Sequence, residues 1–350
     1  MKVLMAGPAL DVQGGISSVE KLILQYMPKN VEMSFLGTME DGSASHKLAV
    51  FLRALRKAKA MMAKADVVHV HFSVTGSTAR KSVVAGMAKK MGIPLILHAH
   101  GSDYREFFER QRGWMKRRIL RFLGSADVFI ALSESWKDFY ADVCGVDREK
   151  IVVLSNPIVC GEIPKRESAG PVYLFLGIMD ERKGAMDLVK AFAKVSERVT
   201  DAKLIMAGNG DVDGVRKLTE DLGVGNSSEI HGWIDAAERN RLFKKANVFV
   251  LPSFREGVPM AMLESMAVGL PPIVTPVGGI PEVITDKKNG LLVEPGNVDE
   301  IAEAMLAMAD SALREQIGLC AWEKAQEYDI RKYCDTLAAI YADLSGQRAS

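Results

Sequence analysis

Short β-rich runs alternate with longer amphipathic stretches along the whole of this chain, and that alternation admits little besides parallel sheets wound with helices on both faces. Residues 2–6, 31–36, 67–70, 94–97, 128–131 and 151–154 read as buried strands. The same rhythm returns at 172–176, 202–207, 229–231, 248–251, 272–274 and 291–293. Between the two series, residues 156–171 gather Pro157, Pro164, Pro171, Gly161 and Gly170 among polar residues, which is the composition of a linker. The expected organisation is therefore α/β, with one doubly wound domain over residues 1–160 and a second over 161–328. A closing helix over 329–350, with Tyr333, Leu337, Ile340, Tyr341 and Leu344 on one side, is placed to brace the first domain. In residues 47–64 the apolar positions Leu48, Phe51, Leu52, Leu55 and Met62 recur at helical spacing and predict the buried face of a helix.

A length of 350 residues with 48% apolar side chains is ample for two cores. With 45 Lys+Arg against 44 Asp+Glu, the near-zero net field argues against a protein that wraps nucleic acid. The charge is divided unevenly. Residues 1–160 hold 23 basic and 15 acidic side chains, and residues 161–350 hold 22 and 29, so the first half is the one suited to an anionic surface. The four cysteines form no CxxC pair, and no apolar run approaches the roughly 20 residues of a bilayer span. A cytoplasmic chain with reduced thiols is the expectation, peripheral at an inner membrane face if the basic half meets lipid.

The densest chemical signal follows the strand at 248–251, in Glu256-Gly257-Val258-Pro259-Met260 and the segment leading to Glu264. Glycine followed by proline at an expected helix start leaves unpaired N–H groups at a positive helix end, which suits a phosphate. Glu256 and Glu264 flank the same mouth, and each carboxylate can accept hydrogen bonds from a vicinal diol, the chemistry of sugars and riboses. Either glutamate alone is equally a first-turn or solvated helical charge.

Taken with its neighbours, this segment resembles the retaining nucleotide-sugar glycosyltransferases of family 4, whose hallmark is two glutamates separated by seven residues. Further matches are Gly269-Leu270-Pro271-Pro272-Ile273-Val274, Val277-Gly278-Gly279-Ile280-Pro281-Glu282, Lys183-Gly184, Met206-Ala207-Gly208-Asn209-Gly210 and His231-Gly232-Trp233. In the first half they are Gly14-Gly15-Ile16 and His98-Ala99-His100-Gly101-Ser102-Asp103. The resemblance implies a GT-B fold, two Rossmann-like domains facing across a cleft, with the donor held mainly by the second and the acceptor by the first. It implies that Glu264 holds the ribose, Glu256 the sugar hydroxyls and Lys183 the departing diphosphate. His100 would then hydrogen-bond the donor sugar, and the amides of Gly14 and Gly15 would approach the phosphate. Gly257, Val258, Pro259, Met260 and Arg182 join the donor site, and Trp233 marks the backbone that meets the base. Asp103 is a candidate to orient an acceptor hydroxyl, with a helix N-cap as its equal alternative. Where the family carries Arg after the strand glycine, this chain has Gly177-Ile178, and neither Arg182 nor Arg255 aligns with the lost cation.

The implied partners are a nucleotide-sugar donor, UDP-linked, and a glycan or lipid-linked acceptor, with no nucleic acid, no metal and no cofactor. Asp211-Val212-Asp213 spells a metal-binding pattern of another glycosyltransferase fold, but a helix N-cap explains Asp213 as well. His69 and His71 alternate near a strand end with no further ligand at a plausible spacing, so cleft-lining or structural roles are expected. Over residues 105–122, seven basic side chains interleave with apolar ones including Trp114 and Met115. Two readings stay open: contact with an anionic membrane, or a helix packed on its own domain. Two alternatives to a transferase also stand, a non-hydrolysing sugar-nucleotide epimerase and a catalytically silent sugar-nucleotide-binding protein.

Overall fold

The computed structural model describes residues 1–166 and 170–346. Tertiary contacts divide it into two units, one made of residues 1–157 with the C-terminal segment from Ile330, the other of residues 158–329.

Unit 1 carries β1 (Lys2–Gly7), β2 (Glu32–Gly37), β3 (Val67–Phe72), β4 (Leu95–Ala99), β5 (Val128–Ala131) and β6 (Ile151–Val153). They form a parallel sheet in the order β2-β1-β3-β4-β5-β6. Its helices are α1 (Gly15–Tyr26), α2 (Ala44–Met62), α3 (Gly76–Lys90), α4 (Tyr104–Glu109), α5 (Gly113–Leu123) and α6 (Glu134–Asp138). Every residue of β3 and β4 is buried, because helices cover both faces and leave no polar side to alternate. One core layer joins Phe72, Tyr104, Phe122 and Phe129 by edge-on ring contacts about Phe72 at 5.2–6.0 Å, in the edge-to-face geometry that aromatic quadrupoles favour.

Two helical expectations change. In α2 the buried face is Val50, Ala54, Ala58 and Met62, while Leu48 and Leu52 are at least half exposed. Of the expected stripe, Met62 is buried and Phe51 and Leu55 pack against the core, so only Leu48 and Leu52 fall outside the buried face. The basic segment at 105–122 is two helices, α4 and α5, with Phe108, Ile119 and Phe122 in the core, and Trp114 at 59% and Met115 at 38% exposure outside it.

Unit 2 carries β7 (Val172–Leu176), β8 (Lys203–Ala207), β9 (Ser228–His231), β10 (Val248–Leu251), β11 (Pro272–Val274) and β12 (Leu291–Leu292). Its helices are α7 (Ala185–Ser196), α8 (Val212–Asp221), α9 (Ala236–Lys245), α10 (Met260–Ala267), α11 (Ile280–Val283), α12 (Val298–Ala307) and α13 (Ser311–Ala325). The parallel sheet runs β9-β8-β7-β10-β11-β12, the Rossmann order. The last helix, α14 (Ile330–Gly346), belongs to unit 1 and buries Tyr333, Cys334, Leu337, Tyr341 and Leu344. Strand order reverses between β1 and β3 in unit 1 and between β7 and β10 in unit 2. The carboxyl ends of open parallel sheets at such points are where ligands bind.

Candidate active site

At the reversal point of unit 2, the loops leaving β7 and β10 are bound to each other. The backbone N–H of Phe254 donates to the carbonyl of Arg182 at 2.8 Å. Gly184 sits at φ 68°, and a Cβ there would lie 2.2 Å from the carbonyl oxygen of Pro252, so only glycine lets the two loops meet. This contact carries Lys183 to Glu256: Nζ lies 2.5 Å from Oε1, and the Ser253 hydroxyl donates to the same oxygen at 2.8 Å. Both side chains are largely out of water, 15% exposed for Lys183 and 6% for Glu256. Gly278, at φ 59°, presses on the other flank, where a Cβ would stand 1.9 Å from the carbonyl oxygen of Glu256.

The helix α10 starts two residues beyond Val258, with Pro259 in the cap position, no side-chain cap and no acidic residue in its first turn. Its positive end is therefore not neutralised by its own side chains, the condition for holding an anion. Glu264, inside α10, accepts a hydrogen bond from Arg239 of α9 at 2.7 Å. Burial pushes the Glu264 carboxyl above its usual range, and the Arg239 guanidinium opposes that shift. Arg182 lies on the same loop cluster, its guanidinium 3.5 Å from the carbonyl of Arg255, while Ile178 is 46% exposed. Trp233 is 54% exposed beyond β9, where the carbonyl of Gly232 accepts from the N–H of Gly208.

Sequence reasoning named Lys183, Glu256 and Glu264, but neither the Lys183–Glu256 pair nor Arg239. In the Asp211-Val212-Asp213 run it is Asp211 that caps α8, accepting from the N–H of Gly214 at 3.0 Å, while exposed Asp213 pairs with Arg216. The capping role expected of Asp213 thus belongs two residues earlier.

In unit 1, Gly14 and Gly15 open α1, and Gly14 has no heavy atom near its missing Cβ. Asp103 precedes α4 without bonding its amides through the side chain. His100 lies at the end of β4, its Nε2 2.9 Å from Nδ1 of His71. Burial lowers the His100 imidazole to about 3, against the opposing hydrogen bond of Asn156, so it is uncharged at neutral pH. His69 and His71 are both fully buried, and His69 Nδ1 is 2.7 Å from the hydroxyl of Tyr341 in α14, which fits the structural role.

Unit 1 also holds features that sequence reasoning missed. At its own reversal point, a cavity of about 330 Å³ is lined by Thr38, Lys47, Thr75, Arg80 and Lys81. The amide end of α3 opens there, and Thr75, a non-glycine at φ 45°, forms the rim. Lys81 donates to Thr38 Oγ1 at 2.6 Å, and burial lowers its amine to about 7. Behind it Glu20 is fully buried, and burial raises its carboxyl to about 8 despite the charge of Lys81. An adjoining cavity of about 390 Å³ shares Thr75 and Gly76 and is walled by Phe107, Met115, Ile119 and Phe122, with Arg118 at its edge. Glu20 was legible as a charged residue one turn beyond Ile16 on the buried stripe of α1; the cavities had no local signal.

Two family models match, "Glycosyl transferases group 1" over residues 162–320 and "Glycosyltransferase Family 4" over residues 31–161. An uncharacterized glycosyltransferase of Methanocaldococcus jannaschii is 33% identical over 54% of this chain, and the match spans 52% of that protein. The GDP-mannose-dependent alpha-(1-6)-phosphatidylinositol monomannoside mannosyltransferase of Mycobacterium tuberculosis is 28% identical over 81% of this chain and 77% of its own length. The UDP-Gal:alpha-D-GlcNAc-diphosphoundecaprenol alpha-1,3-galactosyltransferase of Escherichia coli is 23% identical, covering 80% and 76%. Among solved structures, Anabaena HepE in complex with UDP-glucose aligns over 98% of this chain and 100% of its own, with TM-score 0.78 and 17% identity. Sucrose-phosphate synthase from Thermosynechococcus elongatus aligns over 100% of both chains, with TM-score 0.76 and 19% identity. Two parallel-sheet units, the paired glutamates before and within α10, and these matches lead to one assignment: the fold is GT-B, and the chain belongs to the family 4 type of glycosyltransferases.

Proposed function

We propose that the protein moves a sugar from a nucleotide-diphosphate donor, UDP-linked, to a lipid-linked glycan acceptor, with retention at the anomeric carbon. The observation that carries this reading is the Lys183–Glu256 pair beside the uncapped start of α10. The reaction separates charge between an oxocarbenium-like sugar and a diphosphate that leaves with the electron pair of the broken C–O bond; the acceptor oxygen bonds the anomeric carbon, and its proton passes to the departing diphosphate. Fixed cations and amides aimed at that diphosphate lower the barrier. Lys183, Arg182 and the amides following Val258 supply them, Glu256 accepts from the sugar hydroxyls, and Glu264 from the ribose. In unit 1, the roles are the donor sugar for His100, the diphosphate for the Gly14 and Gly15 amides, and an acceptor hydroxyl for Asp103. With lysine and amides on the diphosphate, transfer is expected to proceed without added Mg²⁺ or Mn²⁺.

The acceptor reading rests on the two adjoining cavities of unit 1. One offers Lys47, Arg80 and the α3 amides to a phosphate, and the other an apolar channel to a hydrocarbon chain. The Escherichia coli relative named above acts on a diphosphoundecaprenol-linked sugar. No helix of the described residues is long and apolar enough to cross a membrane, so contact with lipid would be peripheral, through Trp114, Met115 and the basic face of α5.

Thermal-shift screening of UDP, GDP and ADP sugars identifies the donor, because a ligand stabilises according to its occupancy. NMR of the product from the stabilising donor and a polyprenyl-diphosphate sugar then reads the anomeric configuration. An unchanged anomeric configuration is expected; inversion would refute retention. Ile178, where the family carries a cation, favours as second reading a sugar-nucleotide-binding protein without turnover, and donor binding with neither transfer nor slow hydrolysis would establish it. Interconversion of UDP-sugars with no acceptor present would instead establish an epimerase.

A further inference from the structure

Four histidines of unit 1 converge on one face of its sheet. His69 and His71 are two residues apart on β3, and register pairs His71 with His98 on β4, two residues before His100. His69, His71 and His98 are fully buried, their rings 4.3–5.4 Å apart between centroids. Nitrogen atoms from these three lie within 4.8 Å of one another. His69 Nε2, His71 Nε2 and both nitrogens of His98 have no hydrogen-bond partner, a costly state for buried polar atoms.

The remaining nitrogens are held in a telling way. His69 Nδ1 bonds the Tyr341 hydroxyl at 2.7 Å, and His71 Nδ1 bonds His100 Nε2 at 2.9 Å. Metal-ligating histidines almost always have the second ring nitrogen fixed by an outer partner, which sets the tautomer and points the other lone pair at the ion. Here each fixed ring leaves its Nε2 unpartnered, and the third ring has no partner on either nitrogen.

We propose that His69, His71 and His98 bind a divalent first-row transition ion, Zn²⁺ by preference, which ties β3 to β4 inside the sheet of unit 1. Imidazole suits Zn²⁺, and a metal–nitrogen distance of about 2.0–2.1 Å is reached by ring rotations of under about an ångström. Tyr341 is the positioning residue and the ion is structural; the His71–His100 contact joins it to the residue assigned above to the donor sugar. Tyr341 also makes the site a join between the sheet and α14.

The whole protein, stripped with chelator and desalted, is loaded with Zn²⁺ and assayed by elemental analysis and melting. Retention of about one equivalent and a melting rise of roughly 5 °C are expected. Co²⁺ loading should give the visible absorption bands of a tetrahedral nitrogen site. His98→Gln should abolish both signals, whereas His46→Gln, on the exposed surface, should change neither. Tyr341→Phe, which keeps the ring, covers the case in which His98→Gln does not fold: it should retain the stoichiometry but weaken affinity about 10- to 100-fold. Failure of the folded wild type to retain Zn²⁺, or equal affinity in wild type and Tyr341→Phe, overturns the site.

Discussion

Lys183 and Glu256, 73 residues apart in sequence, share a 2.5 Å hydrogen-bonded ion pair at the junction of the β7 and β10 loops. Each neutralises the other in a place where little water reaches. A donor that engages both would exchange this pair for two new ones, diphosphate on the lysine and sugar hydroxyls on the glutamate. The pair therefore keeps two charged groups poised without leaving either buried alone.

Removing one partner separates catalysis from stability. Lys183→Ala should lower transfer by about 10²- to 10³-fold, the magnitude found when one donor to a developing anion is lost. It should also destabilise the fold, because Glu256 is left without its cation. Lys183→Met with Glu256→Gln should recover melting temperature but no activity. Turnover near normal in Lys183→Ala, measured as donor consumption, refutes the catalytic role.

Arg239 donates to Glu264 at 2.7 Å, so under the ribose role proposed for Glu264 its loss should act through donor binding. Arg239→Ala is expected to raise the donor KM about tenfold, worth 1.4 kcal/mol, with kcat little changed. A fall in kcat at unchanged KM would place Glu264 on the reacting sugar instead.

Glu20 predicts a pH signature. Its carboxyl is raised by burial from 4.5 to about 8, so the folded state binds a proton that the unfolded chain releases, and the stabilisation present below 4.5 is lost as pH rises through 8. Lys81, lowered from 10.5 to about 7, contributes above 10.5 and loses that contribution as pH falls through 7. Stability should therefore dip near pH 7–8. Glu20→Gln should melt like the wild type at about pH 4 and above it at about pH 8. A lower melting temperature for Glu20→Gln at the higher pH would show that a Glu20–Lys81 ion pair holds the site together.

Trp114 is 59% exposed, on a helix whose other apolar side chains are mostly in the core. Cosedimentation with anionic liposomes at low salt is expected, weakening with added salt as screening grows. Trp114→Ala with Arg118→Glu should abolish it without changing the melting temperature. No sedimentation of the wild type at low salt removes the membrane reading.

What the sequence settled by itself was where the strands of both sheets lie along the chain. Most strands are written as apolar runs of β-formers, and even β2 (EMSFLG) and β9 (SEIH), which are only partly buried, were placed like the others to within two residues of where they lie. The loop before α10 was equally legible, because glycine and proline dictate local backbone whatever surrounds them. Partnership was decided elsewhere. That α2 centres its buried face on Val50, Ala54, Ala58 and Met62 and leaves Leu48 and Leu52 exposed is set by its docking on the domain, and no periodicity records that. His69 meets Tyr341 across 272 positions and His71 meets His98 through strand register, while Arg239 reaches Glu264 from another helix. Strand order, register and helix docking are set by packing over the whole molecule, and a side chain acquires its hydrogen-bond partner only after they are in place.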